Sequence, residues 1–190
     1  HNLSLLPARH VFYEYDSTVV NDEFDSDLTL IINSFSDNYD FILLDSQAGI
    51  SRASKAAMAP SNSDRVVLVS EYDPMSNAGI ERLKARLPDE LDVGRTLILL
   101  NKLLPEFVSR FSEFLSFANY LPPIPWTSDV VRAYSRRRLA LDFDNGNQFT
   151  LALLSVLRAL LSGDELTRLE SWIDLQTDRI REPISGQLAD

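Results

Sequence analysis

Three apolar runs, Tyr39-Asp40-Phe41-Ile42-Leu43-Leu44-Asp45, Arg65-Val66-Val67-Leu68-Val69-Ser70 and Arg95-Thr96-Leu97-Ile98-Leu99-Leu100-Asn101, each stop abruptly on a polar residue. Runs with such apolar centres suit strands covered on both faces, the situation of central strands in a parallel sheet. Parallel neighbours need a crossover between them. Between the second and third runs, Asn77 to Leu87 sets Ile80, Leu83 and Leu87 on one helical face and Pro88 closes it, so the chain reads strand, helix, strand. Leu3-Ser4-Leu5-Leu6, stopped by Pro7, reads as a further short strand. The predicted class is α/β, a mostly parallel sheet with flanking helices.

The rest of the chain supplies the cover. From Asp25 to Phe35, Leu28, Ile31, Ile32 and Phe35 recur at helical spacing behind Asp25, Ser26 and Asp27, which suit a helix N-terminus. Pro105–Phe117, Thr127–Arg136 and Phe149–Leu161 read as further helices. Gly163 interrupts, and Asp164 to Ile180 forms an acidic segment with a narrower apolar stripe of Leu166, Leu169, Ile173 and Ile180. No internal repeat or long flexible linker divides the sequence. The expected organisation is one compact sheet-and-helix domain over 1–162, followed by a peripheral acidic helix and tail over 163–190.

Composition narrows the chemistry. Cysteine is absent, which removes disulfides, thiolate metal sites and thiol nucleophiles, and makes a reducing, cytoplasmic setting the expectation. The imidazoles are His1 and His10 alone, so a zinc site or a serine–histidine relay lacks raw material. A net charge of −10 opposes general attraction to nucleic acid or anionic lipid, and neither partner is expected. Arg132, Arg136, Arg137 and Arg138 read as a solvated helix end favoured by the helix dipole. No apolar run reaches the roughly 20 residues a bilayer span needs.

In open α/β sheets, ligands lie beyond the carboxyl ends of the strands, which directs attention to Asp45, Ser70 and Asn101. A carboxylate at Asp45 can hold a magnesium-bound water, and small Ala48 and Gly49 let the backbone approach a phosphate. An acidic strand end followed by a turn explains the same residues without a ligand. Asn101 offers a donor and an acceptor together, which match an adenine edge, or else it satisfies a turn. Lys102 reads as a solvated lysine.

Several of these segments resemble the MinD/ParA family of P-loop ATPases. Tyr39 to Ile50 is similar to its YDxIIxDxPAG segment, with Gln47 in place of the usual proline. Ala59, Asp64 to Val69, Pro74 and Ser76 follow in the order of its alanine-rich helix, ADxxIxV strand and proline-containing loop. Leu97 to Lys102 looks like the strand whose terminal asparagine contacts adenine, and Ile124-Pro125-Trp126 with Asp129 to Ala133 is similar to its IPxDxxVxxA segment. The resemblance implies a P-loop NTPase-like fold, incomplete at its N-terminal side, with ATP and magnesium as cofactors. It makes Asp45 the magnesium-water and switch carboxylate, and places Ala48, Gly49, Asn101, Pro125 and Asp129 around the nucleotide. It also implies self-association and an unidentified protein partner. A basic membrane-binding C-terminal helix is not carried over, because Asp164, Glu165, Glu170, Asp174 and Asp178 oppose it.

The family's glycine-rich KGGxGKT loop has no counterpart here. The six glycines are scattered, so local sequence builds no nest of backbone amides for a triphosphate. The expectation is the C-terminal part of an ATP-dependent switch protein, inactive in turnover without that loop; the alternative is a nucleotide-free scaffold that keeps the fold and binds protein.

Overall fold

Residues 4–6, 24–46, 49–107, 118–139 and 147–181 are described by the computed structural model. They divide into two compact units, 1–66 with 82–95, and 67–81 with 96–190.

The first unit is helical. Helix α1 (Phe24–Ser36) carries acids in its first turn, and α2 (Arg52–Met58) begins at a capping box. In that box the Ser54 N–H donates to Ser51 Oγ at 3.0 Å and the Ser51 N–H to Ser54 Oγ at 2.9 Å. Met58, Ala56, Leu87 and Leu91 are buried. Polar groups inside are matched rather than excluded. Thr29 Oγ1 donates to Asn62 Oδ1 at 2.6 Å and Asn62 Nδ2 to the Ala56 carbonyl at 2.8 Å. The Arg95 guanidinium gathers the carbonyls of Met58 (2.7 Å), Glu90 (2.8 Å) and Ser63, tying three turns that carry no regular ladder.

The second unit is built on a parallel sheet in the order β1-β2-β3, from β1 (Val66–Ser70), β2 (Thr96–Leu100) and β3 (Asn119–Tyr120). Val66 itself falls in the first unit, where its N–H donates to the Arg95 carbonyl at 2.9 Å. Leu97 and Ile98 register with Asn119 and Tyr120. Helix α3 (Pro74–Arg86) makes the crossover from β1 to β2, as the Asn77–Leu87 spacing requires. Along β2 the side chains alternate between two cores. Ile98 and Leu100 join Ile80, Leu68 and Tyr120 on one side, whereas Leu97 and Leu99 join Val67, Leu121, Ile124 and Val156 on the other. Val156 belongs to α5 (Gln148–Leu160), capped by Asn147, and α4 (Ser128–Ser135) precedes it. Helix α6 (Gly163–Arg181) lays Leu166, Leu169, Ile173 and Ile180 against Leu154, Leu157 and Leu161, the stripe read from sequence.

Two expected strands are not strands. Ser4, Leu5 and Leu6 are irregular and exposed, with Leu3 outside the described residues. Phe41 to Asp45 is also irregular, and Leu43 is 91% exposed. A strand exists only where a neighbour takes its N–H and C=O groups, and among the described residues no strand pairs with either segment. The third strand is instead the short Asn119–Tyr120. Pro105–Phe107 forms a single 3-10 turn of the helix expected over 105–117; residues 108–117 lie outside the described ones.

Candidate functional site

The carboxyl end of the sheet in the second unit gathers polar groups through backbone bonds. At the last residue of β1, the Ser70 carbonyl accepts from the Asn101 N–H at 2.7 Å, which fixes Asn101 one step beyond β2. The chain after β3 continues beside β2. Leu121 donates to Ile98, Ile124 to Leu100, Leu103 to Ile124 and Trp126 to Leu103, all backbone bonds of 2.7–3.0 Å. Leu103 and Pro125 thereby form a parallel bridge. Proline-rich sequence is tolerated here because Ile124 and Trp126 supply the donors that Pro122, Pro123 and Pro125 lack.

Asn101 is half-buried. Its Oδ1 accepts from the N–H of Lys102 at 3.0 Å, while its Nδ2 has no acceptor among the described residues. The side chain thus satisfies a turn and still has two amide protons and a second lone pair to offer. Lys102 occupies the left-handed region at φ 56°, and its Nζ lies 2.6 Å from Glu71 Oε1 in an exposed ion pair. Tyr72 and Phe107 meet with ring centroids 5.7 Å apart.

Asp73 closes the loop from β1 into α3. Its Oδ1 accepts from the N–H groups of Met75 (2.8 Å) and Ser76 (3.0 Å), and its Oδ2 accepts from Ser76 Oγ. With Pro74 in the first turn, this is an aspartate N-cap. The Ser76 hydroxyl first, then the backbone N–H groups, hold the Asp73 carboxyl below its ordinary value of 3.8.

The remaining predicted site residues fall as follows. Asp45 is exposed on an irregular segment of the first unit. Gly49 follows at φ +95°, a conformation that L side chains rarely adopt, and its carbonyl accepts from Ser54 Oγ at 2.9 Å. The small residue there is thus a backbone requirement of the turn into α2. Ala48 lies outside the described residues, as does the side chain of Asp129, which stands in the first turn of α4. Asn101 and Pro125 are brought to the same sheet end in the second unit. For an adenine base, the open Nδ2 of Asn101 is a fit. For magnesium, Asp45 offers one accessible carboxylate, and among the described residues no group of three His, Asp or Glu side chains gathers. An ion held there would need its other ligands from water or phosphate. Sequence reasoning missed Glu71 and set Lys102 aside. The signal for Glu71 was its place directly after a strand end; nothing in the sequence marked the left-handed turn at Lys102.

No protein-family model matches the chain. It is similar to the septum site-determining protein MinD of Synechocystis sp., with 29% identity over 120 residues that cover 63% of this chain. The match spans about two fifths, 41%, of that protein's length. Likeness to a MinD protein agrees with the family resemblance read from the motifs, at a coarse level, and the parallel sheet with flanking helices is compatible with it. Among the described residues no helix is long and apolar enough to cross a membrane.

Proposed function

We propose that this chain carries the base side of an ATP site in a MinD-like switch protein. The observation that carries the reading is Asn101, held at the carboxyl end of a parallel strand by Ser70 and Lys102 with its Nδ2 open. Its place matches the adenine-contacting asparagine of the family it resembles, and the likeness to MinD supports it. In this reading the segment of Pro125 and Asp129 flanks the base. By the same resemblance, Asp45 would hold a water of a magnesium ion, and Ala48 and Gly49 would let the backbone approach phosphate. Magnesium, when bound, offsets charge on the phosphate oxygens. The phosphate-side loop comes from sequence outside these residues, ATP favours self-association, and hydrolysis releases it. Without that loop the charge of a transferred phosphoryl group stays uncompensated, so the 190 residues alone turn over negligible ATP.

In a longer chain that includes a glycine-rich, lysine-containing loop, isothermal titration is expected to show magnesium-dependent ATP binding that weakens in Asp45→Ala and in Asn101→Ala. Unchanged affinity in both variants rejects the site. A second reading, a nucleotide-free scaffold that binds protein through a sheet edge, draws on Val69, which is 63% exposed on the edge strand β1. It predicts association that does not depend on nucleotide.

A further inference from the structure

We propose that Glu71 and Lys102 are positioning residues that aim the Asn101 carboxamide at the base, and so set selectivity for adenine; the inference rests on the base-side reading above. The starting point is the backbone of Lys102. A residue with a Cβ rarely enters the left-handed region, and a non-glycine outlier persists only where its surroundings over-determine it. Two surroundings do so here. Leu103, 1% exposed, is locked into the bridge with Pro125 and the carbonyl of Ile124, so the chain must turn sharply between Asn101 and Leu103. On the other side, Lys102 Nζ reaches back to Glu71 on the loop after β1.

The turn has a chemical product. It aims the N–H of Lys102 at Asn101 Oδ1, which decides which end of the carboxamide faces the turn and leaves Nδ2 for a ligand. A carboxamide that could flip would present donor and acceptor equally and would read adenine and its 6-oxo analogue alike. The Glu71–Lys102 pair is exposed on both sides, so its contribution is small in water, and it ties the side chain of Lys102 to the loop after β1. Glu71 lies one residue beyond Ser70, whose carbonyl holds the Asn101 N–H, so backbone and side chain of the same loop grip the same turn.

The test uses the 190-residue chain labelled with ¹⁵N, with adenosine as probe and inosine as the analogue altered at the base edge. In the wild type, adenosine is expected to shift the Asn101 side-chain amide signals and to bind more tightly than inosine. Glu71→Gln keeps the shape and removes the charge; Lys102→Gly removes both the ion pair and the left-handed strain. Each is expected to lower the adenosine-to-inosine preference about two- to fivefold, the range an exposed ion pair allows, and Glu71→Gln to speed hydrogen exchange of the Lys102 N–H. The double swap Glu71→Lys with Lys102→Glu restores both readouts. A purely structural role predicts otherwise for Lys102→Gly: the relieved turn gives an unchanged or higher Tm with base preference intact. Preference and exchange unchanged in the single variants, with adenosine still acting on Asn101, overturn the positioning role and leave the base site standing. No effect of adenosine on Asn101 in the wild type overturns both.

Discussion

At the scale of single residues, the polar groups at the ends of strands and helices do distinct and separable work. Asp73 caps α3, and its folded-state carboxyl is held below its ordinary value of 3.8 by Ser76 and the Met75 N–H. A lowered folded value means that the aspartate contributes stability above its unfolded value and loses it as pH falls through the folded one. Acid titration of Tm is therefore expected to fall less steeply below about pH 4 in Asp73→Asn than in the wild type. Equal slopes would remove Asp73 from the account. Asn147, buried at the start of α5, accepts from the Thr150 N–H at 3.1 Å; Asn147→Ala is expected to cost about 1 kcal/mol in chemical denaturation. Asn101 was legible in the sequence because an apolar run ended on it. The angle at Lys102 was not, because it follows from the pairing of Leu103 with Pro125, 22 positions later, which no local pattern records.

At the scale of elements, periodicity found α1, α3, α4, α5 and α6, apolar runs found β1 and β2, α2 was expected from the family resemblance alone, and sequence pattern failed where pairing decides. β2 was legible because both its faces meet cores, and its alternation between them is visible in Leu97 to Leu100. Tyr39–Asp45 has an equally apolar run, yet Phe41, Ile42 and Leu43 lie exposed with no strand beside them among the described residues. Hydrophobicity states that a segment prefers burial; it does not supply the neighbour. β3, with two residues, was too short to carry a pattern. The cores themselves make a quantitative prediction. Ile98→Ala, at a wholly buried position in the sheet, and Ile173→Ala, on the buried face of α6, are each expected to lose about 2–5 kcal/mol by urea denaturation. Exposed Leu175→Ala on the far side of α6 is expected to change stability by less than about 0.5 kcal/mol. A loss at Leu175 as large as at Ile173 would mean that α6 buries a different face.

At the scale of the molecule, the second unit holds Asn101 and Pro125 on a sheet covered by α3 and α5, and the first unit holds Asp45 and Gly49. The likeness to MinD covers 63% of the chain and 41% of that protein. In the proposed function, the carboxyl end of β2 in the second unit accepts an adenine base. Saturation-transfer difference NMR on the 190-residue chain tests it most directly, because the method reads ligands too weakly bound for titration. With adenosine, the account predicts stronger transfer to the adenine H2 and H8 than to the ribose protons, and loss of that transfer in Asn101→Ala. Absence of transfer in the wild type, or equal transfer in Asn101→Ala, would contradict it.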